Sequence, residues 1–317
     1  MPLTPRTPRP RLGWKAVLRA LIGVIAVGLT FYFLVSRLVR DWHQIPFREM
    51  RFSPLPLVAS FAVLIATRFP LEAFAWSRIL RAMDERINPW RAMAIICVTQ
   101  LGKYIPGKLW FTLGRASLAK RDGVPEAKTL VSVTVEIALS LLAALLLLAA
   151  AVPLLPAGTL PSKAYLLFIL GPVCLVMVHP AVFNRLLRVA LRWLKQPQFI
   201  MSVSYGGVLA ITGLYLLDWV LQGIGSYLLI NSFYPLPLAR LPVLMGGYAV
   251  SWMIGFLILI APAGLGVREG IFTLILKLIM PEPVAIVSVL VTRVWMTLSE
   301  SIMAVVSLPV LRRSNHG

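Results

Sequence analysis

Seven apolar runs, each near the length of one bilayer crossing, leave this chain no water-soluble way to fold. A spanning helix takes about 20 residues, and such runs can be drawn at roughly 16–36, 54–77, 129–152, 164–180, 203–230, 242–260 and 284–308. No loop between them is long enough to bury a core of its own. The expectation is therefore an all-α polytopic integral membrane protein of about seven spans. A mean hydropathy of +0.84 agrees. The net charge of +19 sits between apolar runs. It suits cationic loops facing an anionic leaflet, and nucleic acid is excluded as a partner.

The chain divides simply. Residues 1–15 form a basic head expected to be disordered, 16–310 one transmembrane domain, and 311–317 a short tail. The run after Arg6, Arg9, Arg11 and Lys15 is too long for a signal-peptide core and reads as an uncleaved first span. Arg185, Arg188, Arg192 and Lys195 in one loop, with Arg312 and Arg313 in the tail, put those segments and the head in the cytoplasm. The 37–51 loop disagrees, carrying four arginines on the side assigned as outer.

Two of the apolar regions break in a way that a plain lipid-spanning helix has no use for. The first reads Gly102-Lys103-Tyr104-Ile105-Pro106-Gly107-Lys108-Leu109-Trp110, and the second Ala261-Pro262-Ala263-Gly264-Leu265-Gly266-Val267-Arg268-Glu269-Gly270. Freed backbone groups and charge are tolerated at membrane depth only where protein covers them or they line a polar cavity. Segments 92–119 and 242–280 are thus expected to be re-entrant or broken helices.

The breaks also match each other. Sliding the chain by 156 positions lays 106–135 on 262–291 without a gap, and ten of those 30 pairs are identical, among them Pro106/Pro262, Gly114/Gly270, Pro125/Pro281 and Glu126/Glu282. With a cytoplasmic head, the first broken segment enters from inside and the second from outside. The pattern is an inverted-topology repeat with cores at about 92–152 and 242–308, a plan that in transporters surrounds a central site.

Tyr104-x-Pro106-Gly107-Lys108-x-Trp110, Gly123-Val124 and Glu136, with Pro262-x-Gly264-Leu265-Gly266-Val267-Arg268-Glu269 and Arg293, resemble the lysylphosphatidylglycerol synthase transmembrane-region family, a flippase-like domain. The resemblance covers roughly 15–310, with Ala263 standing where the family usually has Gly. It implies a multi-pass inner-membrane protein that moves an amphipathic lipid of phospho-, glyco- or hopanoid type between leaflets. It does not carry synthase activity, since the soluble aminoacyl-transferase domain of some members is not present in these residues.

Lipid translocation needs cations for a polar headgroup, and helix N-termini add to them. Lys108 and Arg268 are the leading headgroup contacts. Lys103, Tyr104, Pro106, Gly107, Trp110 and Arg115 at the first break, and Pro262, Gly264, Gly266 and Glu269 at the second, complete the candidate substrate site. The plainer reading has Lys103 and Arg115 snorkelling to the interface and Trp110 anchoring there. Of the membrane-depth charges, Glu136 and Arg293 are expected to pair across the repeat, with Glu300 competing for Arg293. Arg268 and Glu269 form a local pair, and Asp218 is a proton-site candidate.

Glycines at 206, 207, 213, 223, 225, 246 and 247 are assigned to close packing alone. No His, Cys or Ser grouping gives a catalytic or metal signature. No enzyme activity, metal or cofactor is expected, and the partners are membrane lipids, with lipid-biosynthesis enzymes as further candidates. The alternative readings are an enzyme that modifies lipid headgroups and an accessory scaffold for one.

Overall fold

The computed structural model describes residues 32, 36, 39, 40, 51–104, 110–154, 167–193, 204–258, 264 and 266–312. The expected head, almost all of the first span, and Pro106, Gly107, Lys108 and Pro262 lie outside them. Every regular element among the described residues is helical. Five helices are long and apolar enough to cross a membrane, and six crossings result if one bent pair is counted as a span. The protein is a multi-pass membrane protein.

Helix α1 runs over Pro54–Arg81 and carries Arg68, Pro70 and Glu72 through its middle without stopping. Pro70 lacks an N–H, and its ring would strike the carbonyl one turn back. A π-helical turn at Leu64–Arg68 just before it widens the backbone and absorbs that conflict. Next come α2 (Pro89–Gln100), α3 (Trp110–Arg121) and the long α4 (Glu126–Ala151).

The expected span at 164–180 ends at Val178, and residues 180–193, expected mostly as a loop, are helical. Helix α5 (Leu170–Val178) bends by 84° into α6 (Pro180–Trp193), because His179 ahead of a proline is pushed to an extended conformation, with ψ 129°. Helix α6 buries Phe183, Leu187 and Leu191 on one face and exposes Arg185, Arg188 and Arg192 on the other. That is the pattern of a helix lying along an interface. Helices α7 (Tyr205–Asn231), α8 (Leu241–Leu257), α9 (Val267–Leu276) and α10 (Glu282–Arg312) complete the chain.

Both broken segments are helical hairpins. A Cβ on Gly114 of α3 would stand 3.3 Å from Thr99 of α2, and one on Gly102 would meet the Phe111 backbone at 2.8 Å. Helices α2 and α3 therefore lie against each other. In the second hairpin a Cβ on Gly247 of α8 would reach Ile275 of α9 at 2.7 Å, and one on Gly255 would reach Arg268 at 3.0 Å. Gly225 and Gly246 likewise sit against Trp295 and Ala151, as their assignment to packing requires. Gly206 and Gly213 differ, with open space where a Cβ would go.

The two hairpins sit in units with the same order of elements, each a helix, a break, a short helix, a tight turn and a long helix. The long helices start at Glu126 and Glu282, and 282 − 126 = 156, the sequence offset. The first backbone bonds of both also correspond, Thr129 N–H to Pro125 O and Ala285 N–H to Pro281 O. The units interlock, since α2 packs on α10 while α8 packs on α4. Arg91 at the start of α2 binds Asp122, just before α4 begins, and also the Val310 carbonyl near the end of α10. The start of α4 and the end of α10 therefore share one end of the molecule, and the two long helices run in opposite senses. Their apolar faces join α1, α5 and α7 in one core around Leu139, Tyr215, Tyr248 and Trp295.

Candidate functional site at the hairpin breaks

A charged residue inside a spanning helix is expensive, so its partners report what the fold is built around. Five acids and three arginines are buried among the described residues: Glu72, Glu136, Asp218, Glu269 and Glu300, with Arg68, Arg115 and Arg268. All lie at or between the hairpins.

At the first break, the chain leaves α2 in a 3₁₀ turn over Leu101–Tyr104. That turn aims Lys103 and Tyr104 at α10. The Lys103 ammonium is ion-paired with Glu300, and the Tyr104 hydroxyl donates to the other Glu300 oxygen at 2.8 Å and lies 3.2 Å from Thr297 Oγ1. Arg68 of α1 stands 3.9 Å from Glu300 and donates to Gln222 Oε1 at 3.2 Å. Gln222 in turn donates to Asp218 Oδ2 at 2.7 Å. Arg115 enters from α3, completely buried, with its guanidinium 2.5 Å from Glu136 and over the Trp76 ring.

At the second break, two glycines make the path. Gly264 has φ +67° and Gly266 φ +87°, left-handed conformations that L side chains rarely adopt. A Cβ on Gly264 would also stand 2.8 Å from the Gly255 carbonyl oxygen. Their route starts α9 at Val267, where Glu269 reaches back to accept from the Gly266 N–H at 2.6 Å. The other Glu269 oxygen lies 3.5 Å from Arg293 on α10. Arg293 also lies over the Tyr104 ring, joining the second break to the first. Arg268 is 8% exposed, lies over the Tyr248 ring at 4.7 Å and donates to the Met296 sulfur at 3.5 Å.

A small cleft opens beside these groups, lined by Arg268, Glu269, Phe272, Val289, Thr292, Arg293 and Met296. Its charges are two arginines and one carboxylate. One guanidinium nitrogen of Arg293 is buried there without a hydrogen-bond partner among the described residues.

The sequence profile of the lysylphosphatidylglycerol synthase transmembrane region matches residues 17–302, which enclose both hairpins and every charge described above. The chain belongs to that family. No curated protein matches it.

The expected pairings are redistributed. Glu136 meets Arg115 rather than Arg293, because the side chain of Arg115 reaches it from the short helix of its own unit. Arg293 takes Glu269 instead, and Glu300 goes to Lys103, Tyr104 and Arg68. The local pair expected for Arg268 and Glu269 is absent. Neighbours on a helix point about 100° apart. Glu269 turns back to its cap while Arg268 lies on Tyr248. Lys103 and Arg115 do not snorkel; both end in carboxylate pairs. Trp110 is half-exposed at the start of α3. Lys108, the expected partner of Arg268 at the headgroup, lies outside the described residues.

Arg68, Gln222, Tyr248 and Thr297 belong to the site and went unread in the sequence. For Arg68 a signal existed, a basic residue within an apolar run beside Pro70 and Glu72. Gln222, Tyr248 and Thr297 carried none, because an uncharged polar residue in a spanning helix usually serves packing or bonds its own backbone.

Proposed function

We propose that this protein translocates an amphipathic lipid with an anionic, phosphate-bearing headgroup between the leaflets of the inner membrane. The reading is carried by Arg268, the one buried arginine among the described residues with no carboxylate at ion-pair distance. Taking a guanidinium out of water without a counter-charge costs several kcal/mol. An anion in the adjoining cleft would offset that cost and also accept from the unpartnered Arg293 nitrogen.

The architecture supports movement rather than static binding. The two units with antiparallel long helices are, in this reading, an inverted repeat, and rocking one against the other would expose the cleft to each side in turn. Arg78, Arg81, Arg86, Arg91, Lys120, Arg121, Lys128 and Arg312 gather at the end where α1 and α10 finish and α4 begins. The positive-inside rule makes that end cytoplasmic, together with both termini. Translocation needs no bond made or broken, so no enzyme activity is assigned.

The test is reconstitution into vesicles of phosphatidylethanolamine and phosphatidylglycerol, with a fluorescent phosphatidylglycerol as probe. Leaflet exchange that exceeds protein-free vesicles, and falls in an Arg268→Ala variant of normal abundance, supports the reading. A probe that stays in its leaflet, or returns chemically altered, overturns it, the second result in favour of headgroup modification.

A further inference from the structure

Arg268 has a counterpart of opposite sign. Of the five buried acids, Glu72, Glu136, Glu269 and Glu300 each have a cation at ion-pair distance, and Asp218 has none among the described residues. Its Oδ2 accepts from Gln222, while Oδ1 is buried with no hydrogen-bond partner among the described residues. The side chain is well over nine-tenths buried, in the middle of α7.

The surroundings are those of a place kept for one more positive charge. Tyr215 lies one turn before Asp218 on the same face, and its hydroxyl is also buried without a partner. From α1, Arg68 and Glu72 face this region, and the Glu72 oxygen 3.8 Å from Arg68 accepts no hydrogen bond among the described residues. Glu136 stands on α4, held by Arg115 of α3, and Glu300 on α10, held by Lys103 and Arg68. Helix α8 contributes Tyr248 and α5 the Cys174 thiol. Arg68 and Arg115 against Glu72, Glu136 and Asp218 leave a deficit of one positive charge. The Arg268 and Arg293 side, with Glu269, has a surplus of one. The two regions are joined through Trp219, next to Asp218, whose ring packs on Tyr248, the ring beneath Arg268.

We propose that Asp218 is a proton-binding site, and that a proton taken up there travels with the anionic headgroup held at Arg268. The coupling rests on the translocation reading above. Each unpaired charge acquires its counter-charge only when both ligands are bound. One phosphodiester and one proton add no net charge to the membrane centre, so the loaded protein can rearrange without dragging charge through hydrocarbon. A single free carboxylate oxygen suits a proton. No grouping of three or more His, Cys, Asp or Glu side chains among the described residues is arranged for a metal ion.

The experiment uses the full chain in the vesicles described above, with a pH gradient imposed and pyranine trapped inside. With one proton per lipid, a gradient of about one pH unit biases the leaflet ratio of fluorescent phosphatidylglycerol by up to about tenfold. Internal pH drifts as the probe moves. Asp218→Asn keeps an oxygen for Gln222 and should lose both the bias and the drift. Infrared difference spectra give a readout that needs no transport: a protonated-carboxyl band induced by acid in the wild type and missing from Asp218→Asn.

Exchange that ignores the pH gradient, or follows a sodium gradient instead, overturns the coupling and leaves translocation standing. A wild type whose carboxyl band does not respond, or a variant that keeps it, overturns the proton site itself. Wild-type vesicles that move no probe under any gradient overturn translocation, and the coupling with it.

Discussion

Arg115 donates to Glu136 at 2.5 Å, with the cation on short helix α3 and the acid on long helix α4. The second unit repeats the bridge with its charges exchanged, the acid Glu269 on short α9 and the cation Arg293 on long α10. Each bridge fastens a hairpin to the long helix that follows it. Because those pairs close within units, the ion pair that crosses between them among the described residues is Lys103–Glu300, with Tyr104 and Arg68 of α1 beside the same carboxylate.

The Arg115–Glu136 bridge predicts a non-additive pair. Arg115→Leu or Glu136→Leu alone leaves a buried charge without its partner and should destabilise the protein by about 3–5 kcal/mol. The double variant removes both charges and should recover most of that loss. Thermal unfolding in detergent of the four proteins forms the cycle, and additive losses would show that the two side chains act independently.

Gly264 and Gly213 should respond oppositely to alanine. At 264 the positive φ and the 2.8 Å approach to the Gly255 oxygen should make Gly264→Ala destabilising, by about 1–3 kcal/mol. At 213, inside α7, a methyl group meets open space, and Gly213→Ala should be neutral or stabilising by up to about 1 kcal/mol. Melting temperatures of the two variants decide it.

Removing Arg268 should separate function from stability. Its guanidinium satisfies no carboxylate, so Arg268→Ala strands no buried acid, and expression and melting should stay near wild type. Probe exchange should fall about tenfold to a hundredfold, the worth of a charged hydrogen bond of about 1.5–3 kcal/mol. A loss of folding as large as the loss of exchange would mean that Arg268 is structural.

Orientation can be read with thiol labels. Cysteine at Arg86 should react from the cytoplasmic side, and cysteine at Leu278, in the turn after α9, only from the opposite side. Reaction of both from one side would contradict the antiparallel relation of α4 and α10.

Conversely, Glu300→Leu should be among the most damaging single changes at the centre. It leaves Lys103 without its carboxylate, deprives Arg68 of one of two, and removes the acceptor of the Tyr104 hydroxyl. A cost of about 3–5 kcal/mol is expected, and Glu300→Gln should restore part of it by keeping an oxygen for Tyr104. Parallel unfolding curves for the two variants make the comparison.

What the sequence determined by itself is set by one-dimensional physics. Bilayer thickness fixes the length of an apolar run, so α1, α4, α7, α8 and α10 were legible as crossings. Pro, Gly and charge within such runs marked both breaks, and an offset of 156 marked the equivalence of Glu126 and Glu282. Pairing was not legible. Which carboxylate a guanidinium meets depends on helix rotation and on side-chain reach across a packed interface, and spacing along the chain encodes neither. Glu136 therefore finds Arg115 instead of Arg293, and helix α6 occupies most of the expected 181–198 loop, turned aside at His179. Only the tertiary structure decided that Arg268 and Asp218 have no ion-pair partner among the described residues, because a buried charge lacks a counter-charge only in relation to everything packed around it.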